Sequence, residues 1–98
     1  GPTNVADIFV IDTTGGQAAL ALTAALHQEG HRADRSWDNR SMKAQMKAAD
    51  RSGAQIALII GEEEAVSDTV AVRDLRGQSG QTTVPRTQVN ETLRKMMR

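Results

Sequence analysis

The run "AQIALII", Ala54 to Ile60, lies between Gly53 and Gly61 and leads straight into three glutamates. It is apolar almost without interruption and too short to be a helix of ordinary length, so it reads as the central strand of a sheet. What surrounds such a strand decides the fold. Before it, "SMKAQMKAADRSG" carries Met42, Met46 and Ala49 at helical spacing, with Ser41 as N-cap and Gly53 as stop. Further back, "ADIFVID" is another short apolar run. "TTGG" turns the chain, and "QAALALTAALHQEG" follows with Leu22 and Leu26 four apart and Gly30 at its end. "HRADRSW" between the two helices is a weaker, polar strand suited to a sheet edge.

Strands separated by helices join by right-handed parallel crossovers, so the expected architecture is α/β: a largely parallel sheet with helices on both faces. After the central strand, "TVAVRDL" and "QTTVP" supply two more strands linked by the polar, glycine-bearing "RGQSGQ". Thr87 is placed to cap a closing helix with Val89, Leu93 and Met96 or Met97 inward. Strands are expected near residues 6–11, 32–36, 55–60, 69–74 and 81–84. The expected core includes Ile8, Val10, Leu22, Leu26, Met46, Ile56, Leu58, Ile60, Val72 and Leu93. The 98 residues make one domain without repeats. Gly1 and Pro2 read as a protease-cleavage scar, leaving 3–98 as the domain proper.

Composition excludes several functions. No cysteine is present, so disulfides and thiolate metal sites are out, and His27 and His31 lack a cluster of partner ligands. Neither histidine reads as catalytic. No run of about 18 apolar residues offers a membrane-spanning helix. A net charge of zero argues against bulk polyanion binding. The charge is nevertheless uneven: from His31 to Arg51 six Arg and Lys stand against three Asp.

In open sheets of this kind ligands gather outside the carboxyl ends of the strands, here "DTTGG", "WDNR" and "GEEE". The glycines of "DTTGG" fit a tight strand-to-helix turn or a phosphate cradle, but neither the GxGxxG nor the GxxxxGK[ST] pattern is present. "GEEE" reads as a solvated turn or as an acidic cluster without His or Asp partners. Asp12 ends a strand as the acid of a phosphoacceptor receiver does, yet the further acids and lysine of such a pocket are absent. With no nucleophile and base arranged together, the chain alone is not read as an enzyme. Arg40, Lys43, Lys47 and Arg51 recur at three and four residues, on one side of the second helix. They form either a solvated face balanced by Asp50 or a phosphate-binding stripe. Trp37, just before them, either packs or stacks an unpaired base.

The stretches "ALALTAALHQEGHRADR", "SMKAQMKAADRSGAQIALIIGEEE" and "TVAVRDL" closely resemble the carboxyl-terminal anticodon-binding domain of histidyl-tRNA synthetase. The most specific part is the order Ser41, Lys43, Ala49, Gly53, apolar strand, Gly61 and Glu64, then Val70, Val72, Arg73 and Leu75. The resemblance implies a three-layer α/β/α fold whose five-stranded mixed sheet has its fourth strand antiparallel. It also implies a domain that binds the anticodon loop of histidine tRNA, beside a separate catalytic domain that uses ATP and Mg. The domain itself then needs no cofactor, and DNA and membranes are not partners. The implied parent is a cytoplasmic homodimer, the isolated domain mostly monomeric. By the same resemblance Asp12, Thr13, Thr14, Trp37, Asn39, Arg40 and Glu64 are expected to read splayed bases, with Lys43 and Lys47 on phosphates. Asp68 stands where the family commonly has a turn glycine, and aspartate tolerates a left-handed backbone. Two alternatives accompany this reading: a synthetase-like paralogue that regulates histidine biosynthesis by protein contacts, and a small-molecule-binding flavodoxin-like domain.

Overall fold

The structure is a computed structural model, and it describes residues 6–36 and 40–97. Five strands form one sheet: β1 (Ile8–Asp12), β2 (Ala33–Arg35), β3 (Ile56–Ile60), β4 (Thr69–Asp74) and β5 (Gln81–Pro85). The helices are α1 (Gln17–Gln28), α2 (Met42–Arg51), α3 (Glu62–Ser67) and α4 (Val89–Met96), the last preceded by a 3-10 turn at Arg86–Gln88. The spatial order is β2-β1-β3-β4-β5. β1 runs parallel to β2 and β3, whereas β4 is antiparallel to β3 and β5. This is the α/β architecture with the fourth strand reversed.

β1 and β3 are buried along their whole length because both faces are covered. On one face Ile8, Val10, Ile56, Leu58, Val70 and Val72 pack with Leu22 and Leu26 of α1 and Val89 and Leu93 of α4. On the other, Phe9, Ile11 and Ile59 share a thinner layer with Ala49, Ala54, Ala57 and Ala71. Small side chains there let α2 lie close to the sheet. β2, three residues long and largely uncovered, is an edge strand, as its polarity indicates.

The helix ends follow local chemistry. Ser41 Oγ accepts from the Ala44 amide at 3.2 Å and caps α2. At the end of α1, the His31 amide donates to the Leu26 carbonyl and the Gly30 amide to that of His27. This pair of bonds requires a left-handed residue, supplied by Gly30 at φ 87°. The β4–β5 hairpin is built on Asp74, whose Oδ1 accepts from the amides of Gly77 (2.7 Å) and Arg76 (3.1 Å).

Three expectations need correction. "GEEE" is not a turn: Glu62, Glu63 and Glu64 form the first turn of α3, where carboxylates meet the positive end of the helix dipole. The stripe of α2 is rotated, with Gln45 and Ala49 buried, Met46 only half-buried and Met42 38% exposed. Thr87 does not cap α4. The Arg86 amide is hooked to the Asp68 carbonyl at 2.9 Å, the next residues coil as the 3-10 turn, and α4 starts at Val89. Asp68 itself adopts the left-handed conformation (φ 57°), so the turn after α3 forms without glycine.

Candidate nucleic-acid interface

The carboxyl ends of β1 and β3 lie side by side, with Asp12 opposite Ile60. Because β4 and β5 are antiparallel neighbours, the start of β4 and the end of β5 reach the same rim, where Thr69 faces Pro85. The rim runs from the amino end of α2 past β1 and β3 to the 3-10 turn.

Asp12 is its organising group. The residue is only 3% exposed. Oδ1 accepts from the Thr14 amide at 2.7 Å and the Thr14 hydroxyl at 2.6 Å, and Oδ2 accepts from the Ala19 amide at 2.9 Å. Ala19 lies in the first turn of α1, whose flanking Gly16 has no side chain to cap it, so Asp12 takes that role from across the loop. Burial pushes the Asp12 pKa up. The hydrogen bonds from Thr14, Ala19 and Gly16 outweigh that and leave it below the usual 3.8. Both oxygens of Asp12, expected to read a base, are thus also engaged within the chain, where the carboxylate shapes the loop. Gly15 and Gly16 have φ of 120° and 98°, a region few other residues accept, which accounts for the two glycines as turn formers.

Gln45 is the rim residue that the apolar spacing of α2 passes over. It is 2% exposed, donates to the carbonyls of Asp12 (2.9 Å) and Arg40 (2.8 Å), and accepts from the Asp12 amide (3.0 Å). β2 pairs with β1 only as far as Val10 opposite Arg35. Beyond that point the Gln45 side-chain amide stands in for the missing strand and ties α2 to the end of β1. The signal available in the sequence is its place one helical turn before Ala49, which puts a polar group on the inward side of the helix.

Across the rim, Glu64 Oε1 accepts from the Gly61 amide at 2.8 Å, holding the first turn of α3. A β-carbon on Gly61 would lie 3.0 Å from that oxygen and 3.6 Å from Thr13 Oγ1. Thr13 and Glu64 are therefore brought together around Gly61, and Thr13 and Thr14 are half-buried. Arg40, Lys43, Lys47 and Arg51 are exposed on α2 and the residues before it. Asp50 does not balance them directly. Its carboxylate lies 3.9 Å from Arg76, whose guanidinium also donates to the carbonyls of Asp50 (2.9 Å) and Ala54 (3.2 Å) and so closes the carboxyl end of α2. Trp37 and Asn39 lie outside the described residues. His27 bonds to the Ala33 carbonyl at 2.8 Å and His31 to Asn90 at 2.7 Å, both as structural links. Among the described residues no group of three His, Cys, Asp or Glu is placed to hold a metal ion, and no helix is long and apolar enough to cross a membrane.

The sequence model of the anticodon binding domain matches residues 7–96. The chain belongs to the anticodon-binding domain family. Among the proteins it is similar to are histidine–tRNA ligases. It is 42% identical over 90 residues to a histidine–tRNA ligase of Rhodococcus erythropolis, covering 89% of this chain and 21% of the relative. A histidine–tRNA ligase of Moorella thermoacetica is 41% identical over 97 residues, 97% of this chain and 23% of its own length. The solved histidyl-tRNA synthetase from Nostoc sp. PCC 7120 superposes with a TM-score of 0.80 at 26% identity, over 96% of this chain and 23% of that one. The chain thus spans less than a quarter of the length of these proteins. It has the anticodon-binding domain's five-stranded mixed sheet, and the flavodoxin-like alternative falls away.

Proposed function

We propose that this domain grips the anticodon loop of a histidine tRNA along the strand-end rim. The family match over residues 7–96 carries the reading. The Gln45 bridge supports it, because it fixes α2 and its exposed lysines to the β1 loop as one unit. Lys43 and Lys47 then hold loop phosphates, which positions the RNA without choosing its sequence. Thr13, Thr14, Trp37, Asn39, Arg40 and Glu64 face or flank the bases, and Asp12 contributes by shaping the loop. The longer protein is a cytoplasmic, homodimeric histidine–tRNA ligase. Its separate catalytic domain binds ATP and Mg, and the present domain alone is non-catalytic.

The test is binding of a histidine-tRNA anticodon stem-loop, with a scrambled-anticodon control, by the longer protein and by this domain. Replacing Arg40, Lys43 and Lys47 together should weaken both RNAs, whereas Asn39→Ala should lose discrimination between them. Unchanged binding by the triple variant would return α2 to plain solvent. ATP–pyrophosphate exchange by the domain alone would overturn its non-catalytic assignment.

A further inference from the structure

Beyond Glu64 the rim opens into a cavity of about 220 Å³ between α1, α3 and the start of β4. Ala18 and Ala21 of α1 and Ala65 of α3 give it flat walls, and Ile60 adds a further apolar surface. Thr69, Val70 and three charged side chains, Glu64, Asp68 and Arg86, complete the lining, and a bond from the Arg86 amide to the Asp68 carbonyl joins the backbones of the last two. Arg86 is half-buried, and its guanidinium makes no hydrogen bond or ion pair with another described residue. Among the described residues the Asp68 carboxylate is likewise uncommitted, unlike that of Glu64, which has one oxygen on the Gly61 amide.

A ligand for this cavity must be flat, small, and able to offer donors to a carboxylate beside acceptors for a guanidinium. The volume is below the roughly 300–1,000 Å³ of sites for larger ligands and suits one ring system. Among nucleobases guanine alone carries both edges. Its N1–H and N2–H₂ donate together to a carboxylate, while O6 and N7 accept together from an arginine. Adenine and cytosine lack the paired donors next to such acceptors, and uracil lacks the N7 position. We propose that this cavity receives one unpaired guanine of the bound RNA loop, with Asp68 reading its donor edge and Arg86 its acceptor edge. The inference rests on the RNA-binding reading and extends it to a pocket on the α1 side of α3.

The experiment uses the longer protein and an anticodon stem-loop in which each loop guanine is replaced in turn by inosine, which lacks the 2-amino group, or by 7-deazaguanine, which lacks N7. At one loop position both replacements should weaken binding by the wild type, each roughly tenfold. For Arg86→Met, which keeps the stem and removes the donors, the 7-deaza replacement at that position should cost nothing further. For Asp68→Gly, which suits the left-handed turn and removes the acceptor, the same should hold of inosine. Circular dichroism and thermal melting confirm that each variant is folded. Tight RNA binding in which both variants respond to the modified bases as the wild type does would overturn the guanine pocket and leave the anticodon-loop reading standing. So would tight binding with no loop guanine sensitive to either replacement. Failure of the wild type to bind any stem-loop would overturn the reading and the pocket with it.

Discussion

Removing the Gln45 side chain is the sharpest physical test of how the rim is held. Its amide meets three backbone groups at 2.8–3.0 Å, and the residue is 2% exposed. In Gln45→Ala the amide and carbonyl of Asp12 lose their partners at the inner end of the gap, while the Arg40 carbonyl lies nearer the surface and finds water. A buried polar group left unmet costs about 1–3 kcal/mol, so two of them predict a loss of roughly 2–6 kcal/mol. For a domain of this size that corresponds to a fall in Tm on the order of 10–30 °C. Urea and thermal unfolding followed by circular dichroism measure it. Gln45→Glu is the more telling variant because the shape is kept. One carboxylate oxygen still accepts from the Asp12 amide, but the other faces two carbonyls where donors are needed. Ionisation is therefore disfavoured in the folded state and the side-chain pKa is raised. The variant should be clearly less stable than the wild type at pH 7 and should close part of that gap as the pH falls and the carboxyl becomes a donor. Gln45→Ala within about 0.5 kcal/mol of the wild type, the range of an ordinary surface change, would refute the bridge. So would a Gln45→Glu variant as stable as the wild type at pH 7.

Other consequences follow from single residues. The pKa of Asp12 is lower folded than its usual 3.8, so its stabilisation is complete above that value and is lost as pH falls through the folded pKa. The stability gap between wild type and Asp12→Asn should accordingly be widest near neutrality and narrow below about pH 3.8, read from urea melts across the acid range. If Lys43 and Lys47 hold phosphates, each alanine variant should reduce the slope of log affinity against log salt by about 0.7 for matched and scrambled RNA alike. An unchanged slope would remove the phosphate role. At left-handed Asp68 a β-branched residue meets the full steric penalty, so Asp68→Val should cost roughly 1–2 kcal/mol in urea unfolding while Asp68→Gly costs little. Equal stability of the two would show that the turn relaxes. Leu58, fully buried in the central strand, should lose about 2–5 kcal/mol as Leu58→Ala, measured in the same unfolding assay.

The parts of this molecule legible in its sequence are those whose cause is local. The apolar run of β3, the glycine stop at Gly30 and the Ser41 cap each follow from a few neighbouring residues, and they locate the central strand, the end of α1 and the start of α2. The organisation of the rim has a different origin. Asp12 and Gln45 are 33 residues apart, and neither periodicity nor a motif links them; only the shortness of β2 creates the gap that the glutamine fills. A count of apolar positions passes over Gln45 and assigns the inward place to Met46 instead. The structural role of Asp12 is missed in the same way, because it becomes visible only when the uncapped start of α1 is brought beside the end of β1. "GEEE" fails for a further reason: a six-residue helix is too short to show a period, and its glutamates favour helix only through their position in its first turn. In each case a polar side chain completes the backbone of a neighbouring segment rather than waiting for a ligand. The same division bears on the proposed recognition: buried groups such as Asp12 and Gln45 hold the rim in shape, and under that proposal it is the exposed lysines and the uncommitted charges around them that meet the RNA.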